Sequence, residues 1–449
     1  MIDDSLRGPF YGYGLEEARD LVARSGVRAV AEQALDAIDR INPALNAFVY
    51  VDRAQVLRDA DRLDALPASE RGPLFGLPVA VKDLVDVAGW PVTHGSRLNA
   101  ARVAGEDAAV VTRLREAGAL ILGMTLTHEF AYGPTGDISH QGPSHNPHDL
   151  DRMTGGSSAG SGAAVAAGLV PLALGTDTGG SVRVPAALCG CVGLKPAHGE
   201  VPVQGVHDLA PTLDHVGVLA TSADLAWLGW SVLTGRPEPE PVAPQWSWLD
   251  IDAVPLVDRR IARAVRALYD EVSENSTVDV SLGNWPEMRG TAGTIMSREA
   301  YDVHAHQIDA RRDEYDPSTW ERIDSGRHID DAQYDEALRT RGLWRESLQQ
   351  FLDDDQVLAA PTVGITAPTI GEREMSVDGE PGLSTRIVTN LTVRWNLVGF
   401  PAISIPAGEL DGLPYGIQLI AKPGCEGALR AATAQVTAAG APLGRPERA

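Results

Sequence analysis

Residues 153–181 read MTGGSSAGSGAAVAAGLVPLALGTDTGGS, and the first 24 of them, Met153 to Thr176, form the longest stretch without a charged side chain. A helix that spans a bilayer needs about 20 mostly apolar residues. Glycine and serine are too frequent here, and Pro171 interrupts the run. The pattern instead predicts a small-residue helix over 158–167 with Gly168 as its stop and an apolar strand over 170–175. A turn then follows, Thr176-Asp177-Thr178-Gly179-Gly180-Ser181.

Outward from this segment the same alternation continues. Upstream, a strand is expected over 79–87, a helix over 107–117 ended by Gly118, and a strand over 119–124. Downstream come strands over 356–360, 402–406 and 415–420, a helix over 385–397 and a last helix over 427–438. Strand and helix in turn imply an α/β sheet. Residues 1–66 carry helical spacing (16–24, 27–42 stopped by Pro43, and 53–66) and read as a helical flank. Past Gly235, Pro237, Pro239, Pro241 and Pro244 open a mostly charged, helical region, so 236–345 reads as a variable insertion or cap over the sheet. No internal repeat appears, which favours one domain over residues 1–449.

Composition narrows the function. Hydrophobic residues are 44% and charged residues 22%, as in a globular chain. A net charge of −23 repels phosphate backbones and anionic lipid, so neither nucleic acid nor a membrane is the expected partner. Met1-Ile2-Asp3-Asp4 lacks the basic start of a secretory signal, and a cytoplasmic location is the default expectation. Cys189, Cys191 and Cys425 are too few for a disulfide scaffold and lack the second pair of a zinc site, so reduced, buried thiols are expected. His140, His145 and His148 have no companion carboxylate pattern, and no metal is expected.

Three elements carry chemistry. Of 38 cationic residues only Lys82, Lys195 and Lys422 are lysine. A chain so biased toward arginine keeps lysine where the cation must be able to lose its proton. Lys82, between valines on a presumptive strand, would be desolvated and able to act as a base; the plainer alternative is a pair with Asp83. Gly155-Gly156-Ser157-Ser158-Ala159-Gly160-Ser161 leads into a helix but has no Gly-Lys-Ser/Thr, so it is not a P-loop. Ser181 follows two glycines, where main-chain N–H groups of Thr178, Gly179, Gly180 and Ser181 could hold an oxyanion; a plain glycine turn is the alternative.

Together these elements, with 75 residues from Lys82 to Ser157 and 24 from Ser157 to Ser181, resemble the amidase signature family of Ser-Ser-Lys amide hydrolases. The likeness includes Glu129-Phe130-Ala131, Gly142 to Pro147, Pro185-Ala186, Gly193 to Pro196, Asn396 to Pro401 and Gly412 to Gln418, and covers roughly residues 20–235 and 355–440. It implies a mixed central sheet covered by helices on both faces. It also implies Ser181 as nucleophile, Ser157 as a bridging serine after a cis peptide bond, Lys82 as base, and no cofactor. Ser158 and Asp177 are expected to hold the loops. Arg183 could brace the turn or meet a substrate carboxylate.

The resemblance leaves the substrate open: amides first, with carbamates and ureas as the alternative on the same three residues. A glutamine amidotransferase subunit is disfavoured by the 245–345 region and by the charge. Phe130, Ala131 and Tyr132 are expected at the substrate. Trp285, Met288, Met296 and Tyr301 either line an apolar pocket with Phe130 and Tyr132 or are core. A homodimer is plausible by resemblance.

Overall fold

A computed structural model describes residues 2–440 apart from 253, 275–277 and 283–284. Eleven strands form one mixed sheet: β1 Phe48–Tyr50, β2 Pro78–Lys82, β3 Leu120–Thr125, β4 Leu172–Thr176, β5 Val192–Lys195, β6 Val216–Ala220, β7 Gln245–Leu249, β8 Asp279–Val280, β9 Gln356–Pro361, β10 Ala402–Leu410 and β11 Leu413–Ile420. Their order is β1-β3-β2-β4-β6-β5-β10-β11-β9-β7-β8. The β3-β2-β4 and β9-β7-β8 neighbours run parallel and the rest antiparallel. Every residue of β2, β3, β4, β6 and β11 is buried. Successive strand side chains point to opposite faces, so both faces of the sheet are covered.

The covering helices are α1 Leu15–Ser25, α2 Val27–Leu45, α3 Arg53–Asp64, α4 Ala109–Glu116, α5 Ala159–Ala166, α6 Arg183–Cys189, α7 Ala223–Thr234, α8 Arg259–Val272, α9 Trp285–His304, α10 Pro317–Asp324, α11 Asp331–Phe351, α12 Ser384–Ile387, α13 Val393–Leu397 and α14 Glu426–Ala439. α5 explains the uncharged stretch. All its residues are buried, and a Cβ on Gly160 would lie 2.1 Å from Ala47 O and 2.4 Å from Leu126 N. Only small residues let this helix sit so close to the sheet. Among the described residues no helix is long and apolar enough to cross a membrane.

Several expectations are corrected. α2 runs past Pro43 to Leu45: the proline forfeits one main-chain bond, but Leu45 is buried and Asn46 N–H reaches Asn42 O at 2.7 Å. The strand expected over 79–87 ends at Lys82, where Leu84 N and Val85 N turn back onto Lys82 O. The helix expected over 385–397 is two short ones, α12 and α13. Region 236–345 is not all cap, since β7 pairs with β9 and β8 extends the sheet edge; its later helices α9 and α10 lie over the site. β1, β5 and β6 were not expected, being short runs without strong alternation.

Candidate active site

The parallel neighbours β2 and β4 end side by side, and this brings their last residues, Lys82 and Thr176, together. Lys82 is fully buried, its Nζ 2.7 Å from Ser157 Oγ and 2.8 Å from Thr176 Oγ1. Burial disfavours the ammonium, and the nearby charges of Asp177 and Asp214 only partly restore it, so the pKa falls from 10.5 to about 7. Asp83 is not its partner. That carboxylate faces the opposite way, accepting from Thr93 N at 2.6 Å and Gly95 N at 3.3 Å.

Ser157 sits just before α5, and the Gly156–Ser157 peptide bond is cis. Its carbonyl accepts from His128 N at 3.0 Å and Ala159 N at 2.9 Å. Ser158 ties this loop to β4: its Oγ donates to Thr176 O at 3.2 Å and accepts from Thr176 N at 3.3 Å. Ser158 N–H in turn donates to Ser181 O at 3.3 Å, joining the two serine loops through the main chain. Ser181 lies between β4 and α6, 7% exposed, on the wall of a cavity of about 320 Å³.

The turn before Ser181 is held from below. Asp177 accepts from Gly180 N at 2.8 Å and Val182 N at 3.2 Å, and pairs with Arg183 Nε and Nη2, each at 2.9 Å. Burial pushes this carboxyl up, but Arg183, Lys195 and Asn396 together outweigh it and hold it well below the usual carboxylate range. All five Arg183 N–H groups are used, the remainder by Thr392 O, Gln418 Oε1 at 2.6 Å and Asn396 Oδ1 at 2.7 Å. Fully buried, Arg183 braces the turn and has no donor left for a substrate. Gly180 has φ +130°, and a Cβ there would lie 2.3 Å from Thr392 Oγ1. Its N–H, counted among four oxyanion donors from the sequence, is given to Asp177. Among the described residues those of Thr178, Gly179 and Ser181 have no protein acceptor. Thr178 is steered by Asp214, which takes its hydroxyl at 2.5 Å and the N–H groups of Leu209 and Ala210.

Ala131 and Tyr132 line the cavity, whereas Phe130 turns away to pack on His304, ring centroids 4.5 Å apart. Met296 also lines it, while Trp285 and Met288 are core and Tyr301 packs against the core. Of the two readings open for these side chains, core describes Trp285 and Met288, and the cavity has a mixed wall bearing Arg289, Arg322 and Arg386. His145 and His148 bond to main-chain carbonyls of Leu150 and Cys189. Among the described residues no group of three or more His, Cys, Asp or Glu is placed to hold a metal. Cys189 and Cys191 are buried free thiols, but Cys425 is only half-buried. Sequence reasoning missed Thr176 and Asp214, which carry no motif of their own. Asn396 and Gln418 stood inside quoted motifs without a role.

The family model for Amidase matches residues 29–247 and 257–429. AtzE, one component of the 1-carboxybiuret hydrolase of Pseudomonas sp. (strain ADP), is 37% identical over 424 residues, covering 89% of this chain and 92% of that protein. The A subunit of the Glutamyl-tRNA(Gln) amidotransferase of Symbiobacterium thermophilum is 36% identical over 443 residues, covering 88% and 89%. A crystal structure of an amidase superposes with a TM-score of 0.89 at 30% identity, over 96% of this chain and 100% of the other. The chain therefore belongs to the amidase signature family.

Proposed function

We propose that this protein hydrolyses the C–N bond of a small amide through a serine acyl-enzyme, with Ser181 as nucleophile, Ser157 as proton bridge and Lys82 as base. The observation that carries this reading is the buried amine 2.7 Å from Ser157 Oγ. With a pKa of about 7 it is near half neutral at neutral pH, so it has a lone pair to accept a proton. A hydroxyl both donates and accepts, which suits Ser157 to pass a proton between Ser181 and Lys82.

In the first half, Ser181 Oγ bonds to the carbonyl carbon. Its proton goes to Ser157, and the Ser157 proton goes to Lys82. The C=O electron pair moves to oxygen, opposite the N–H groups of Thr178, Gly179 and Ser181; one such donor is typically worth ~2.7–4 kcal/mol. The C–N bond then breaks as nitrogen takes the proton back through Ser157, and the amine leaves. In the second half a water gives its proton to the same relay, attacks the acyl carbon and releases the acid, while Ser181 regains its proton. Amide and water are consumed; acid and amine are formed.

Urea-type substrates are a second reading, favoured by the relative named for 1-carboxybiuret. A carbonyl carbon bearing nitrogen on both sides presents the same target to Ser181. We place the protein in the cytoplasm, where the free thiols Cys189 and Cys191 stay reduced. A chain of net charge −23 acts without RNA contact, as a hydrolase in its own right. The test is a turnover screen of small amides, anilides, carbamates and ureas. Ser181→Ala and Lys82→Ala are each expected to lower kcat by at least about a thousandfold; an unchanged rate in Lys82→Ala removes the lysine from the mechanism.

A further inference from the structure

We infer that the cavity above Ser181 selects a carboxylate-bearing amide that lacks an ammonium group, such as the monoamide of a short dicarboxylic acid, through Arg289, Arg322 and Arg386. The inference rests on the hydrolase reading for the fate of the amide, but its charge argument stands on the cavity alone.

In a chain with 61 acidic against 38 cationic residues, arginines are readily matched with carboxylates. Arg102 takes both oxygens of Asp86, and Arg327 takes Asp309 and Asp324. The three cavity arginines have no such match. They come from α9, α10 and α12, separate stretches of sequence that converge on one space. Among the described residues none of them has a carboxylate partner. Among these described residues Arg289 donates to Thr389 Oγ1 alone, at a long 3.4 Å, and the Arg322 guanidinium lies 4.4 Å from the centre of the Tyr132 ring.

The cluster is also under mutual repulsion. Burial, followed by the charges of Arg386 and Arg322, lowers the pKa of Arg289 to about 10, so it still carries its charge at neutral pH. Behind it Arg394, 2% exposed, lies against the Trp285 ring with Nε and Nη1 unpartnered among the described residues. Its pKa is lowered by burial and by Arg289, which places its charge in the same field. Like charges gathered without counter-ions favour an anion in their midst. The planar fork of arginine suits a carboxylate, which can take two parallel N–H bonds.

The same wall sets a second condition. No Asp or Glu is among the described residues that line the cavity. An α-amino acid amide such as glutamine would bring an ammonium with no carboxylate on the cavity wall to receive it and three guanidinium groups nearby to repel it. A plain carboxylate-bearing amide meets only attraction. It would place its carboxylate among the arginines and its carbonyl beside Thr178, Gly179 and Ser181, which line the same 320 Å³ space.

The experiment is calorimetric titration of the full chain with glutarate, glutaramide and glutamine. Alongside it, kcat/KM is measured for the monoamides of succinic, glutaric and adipic acids against their neutral diamides. Glutarate is expected to bind at least about tenfold more tightly than glutaramide or glutamine, the scale of a charge-assisted hydrogen bond. Arg289→Gln and Arg386→Gln, checked for an unchanged circular dichroism spectrum, are each expected to weaken glutarate about tenfold and to lower the monoamide-to-diamide ratio of kcat/KM. Equal affinity for glutarate and glutaramide, no binding of glutarate, or full affinity in both variants overturns the inference. A chain that binds glutarate but hydrolyses nothing supports the anion site and sinks the hydrolase reading instead.

Discussion

Replacing Lys82 with methionine tests the claim that the native chain holds this amine partly neutral. The buried group has a pKa of about 7, against 10.5 for the free side chain, with burial as the leading cause. Below about pH 7 native and unfolded chains both carry the proton, and the native state bears the full cost of a buried ammonium. At 1.36 kcal/mol per pH unit that cost is on the order of 5 kcal/mol. Between about 7 and 10.5 the unfolded chain binds more protons than the native one, so stability rises with pH; above 10.5 the cost has gone. From pH 7 to pH 9 the wild type should therefore gain about 2 kcal/mol relative to Lys82→Met. The hydrogen bonds to Ser157 and Thr176 that the variant lacks add an offset independent of pH, which cancels in this comparison. Urea denaturation of both proteins at pH 7, 8 and 9 reads the difference directly. Parallel curves would mean an amine charged throughout, and a lysine with no lone pair to offer.

Arg183→Met should cost about 3–5 kcal/mol in urea denaturation, because it strands the buried Asp177 carboxylate together with Asn396 and Gln418. Gly180→Ala should lower stability by more than about 1 kcal/mol, since φ is +130° and the new Cβ would meet Thr392 Oγ1; thermal melting checks it. On the acid side, burial and then His207 and His306 lower the pKa of His304 to about 3, so the unfolded chain binds the extra proton as pH falls through 6.5. Wild type should lose about 3 kcal/mol relative to His304→Gln between pH 7 and pH 4, and equal losses would show that this ring is not held neutral.

The candidate site was legible where it depends on residue type and spacing. Lys82, Ser157 and Ser181 stand at the ends of strands or before helices whose patterns are local, and the three lysines among 38 cations single out the first. The role of Arg183 was not legible. Whether it braced or bound substrate depended on which groups filled its five donors, and Asn396 and Gln418 lie more than 200 residues away. The cavity's charge was hidden for the same reason: Arg289, Arg322 and Arg386 belong to three elements that meet only in the folded chain, and each is unremarkable within its own helix. Of the large apolar residues in that region, Met296 reaches the wall, but Trp285 and Met288 share its composition and are absorbed by the core. Pro43 misled because a proline in the last turn of a helix removes one bond and leaves the buried Leu45 to decide the end.

Activation of one serine through a second by a neutral lysine can be read from reaction with a fluorophosphonate across pH 5 to 9, with the modified peptide mapped by mass spectrometry. Modification is expected at Ser181, at a rate that rises with a midpoint near pH 7 and collapses in Lys82→Met. Modification at a different residue, or a rate at Ser181 indifferent both to pH and to loss of the lysine, would contradict it.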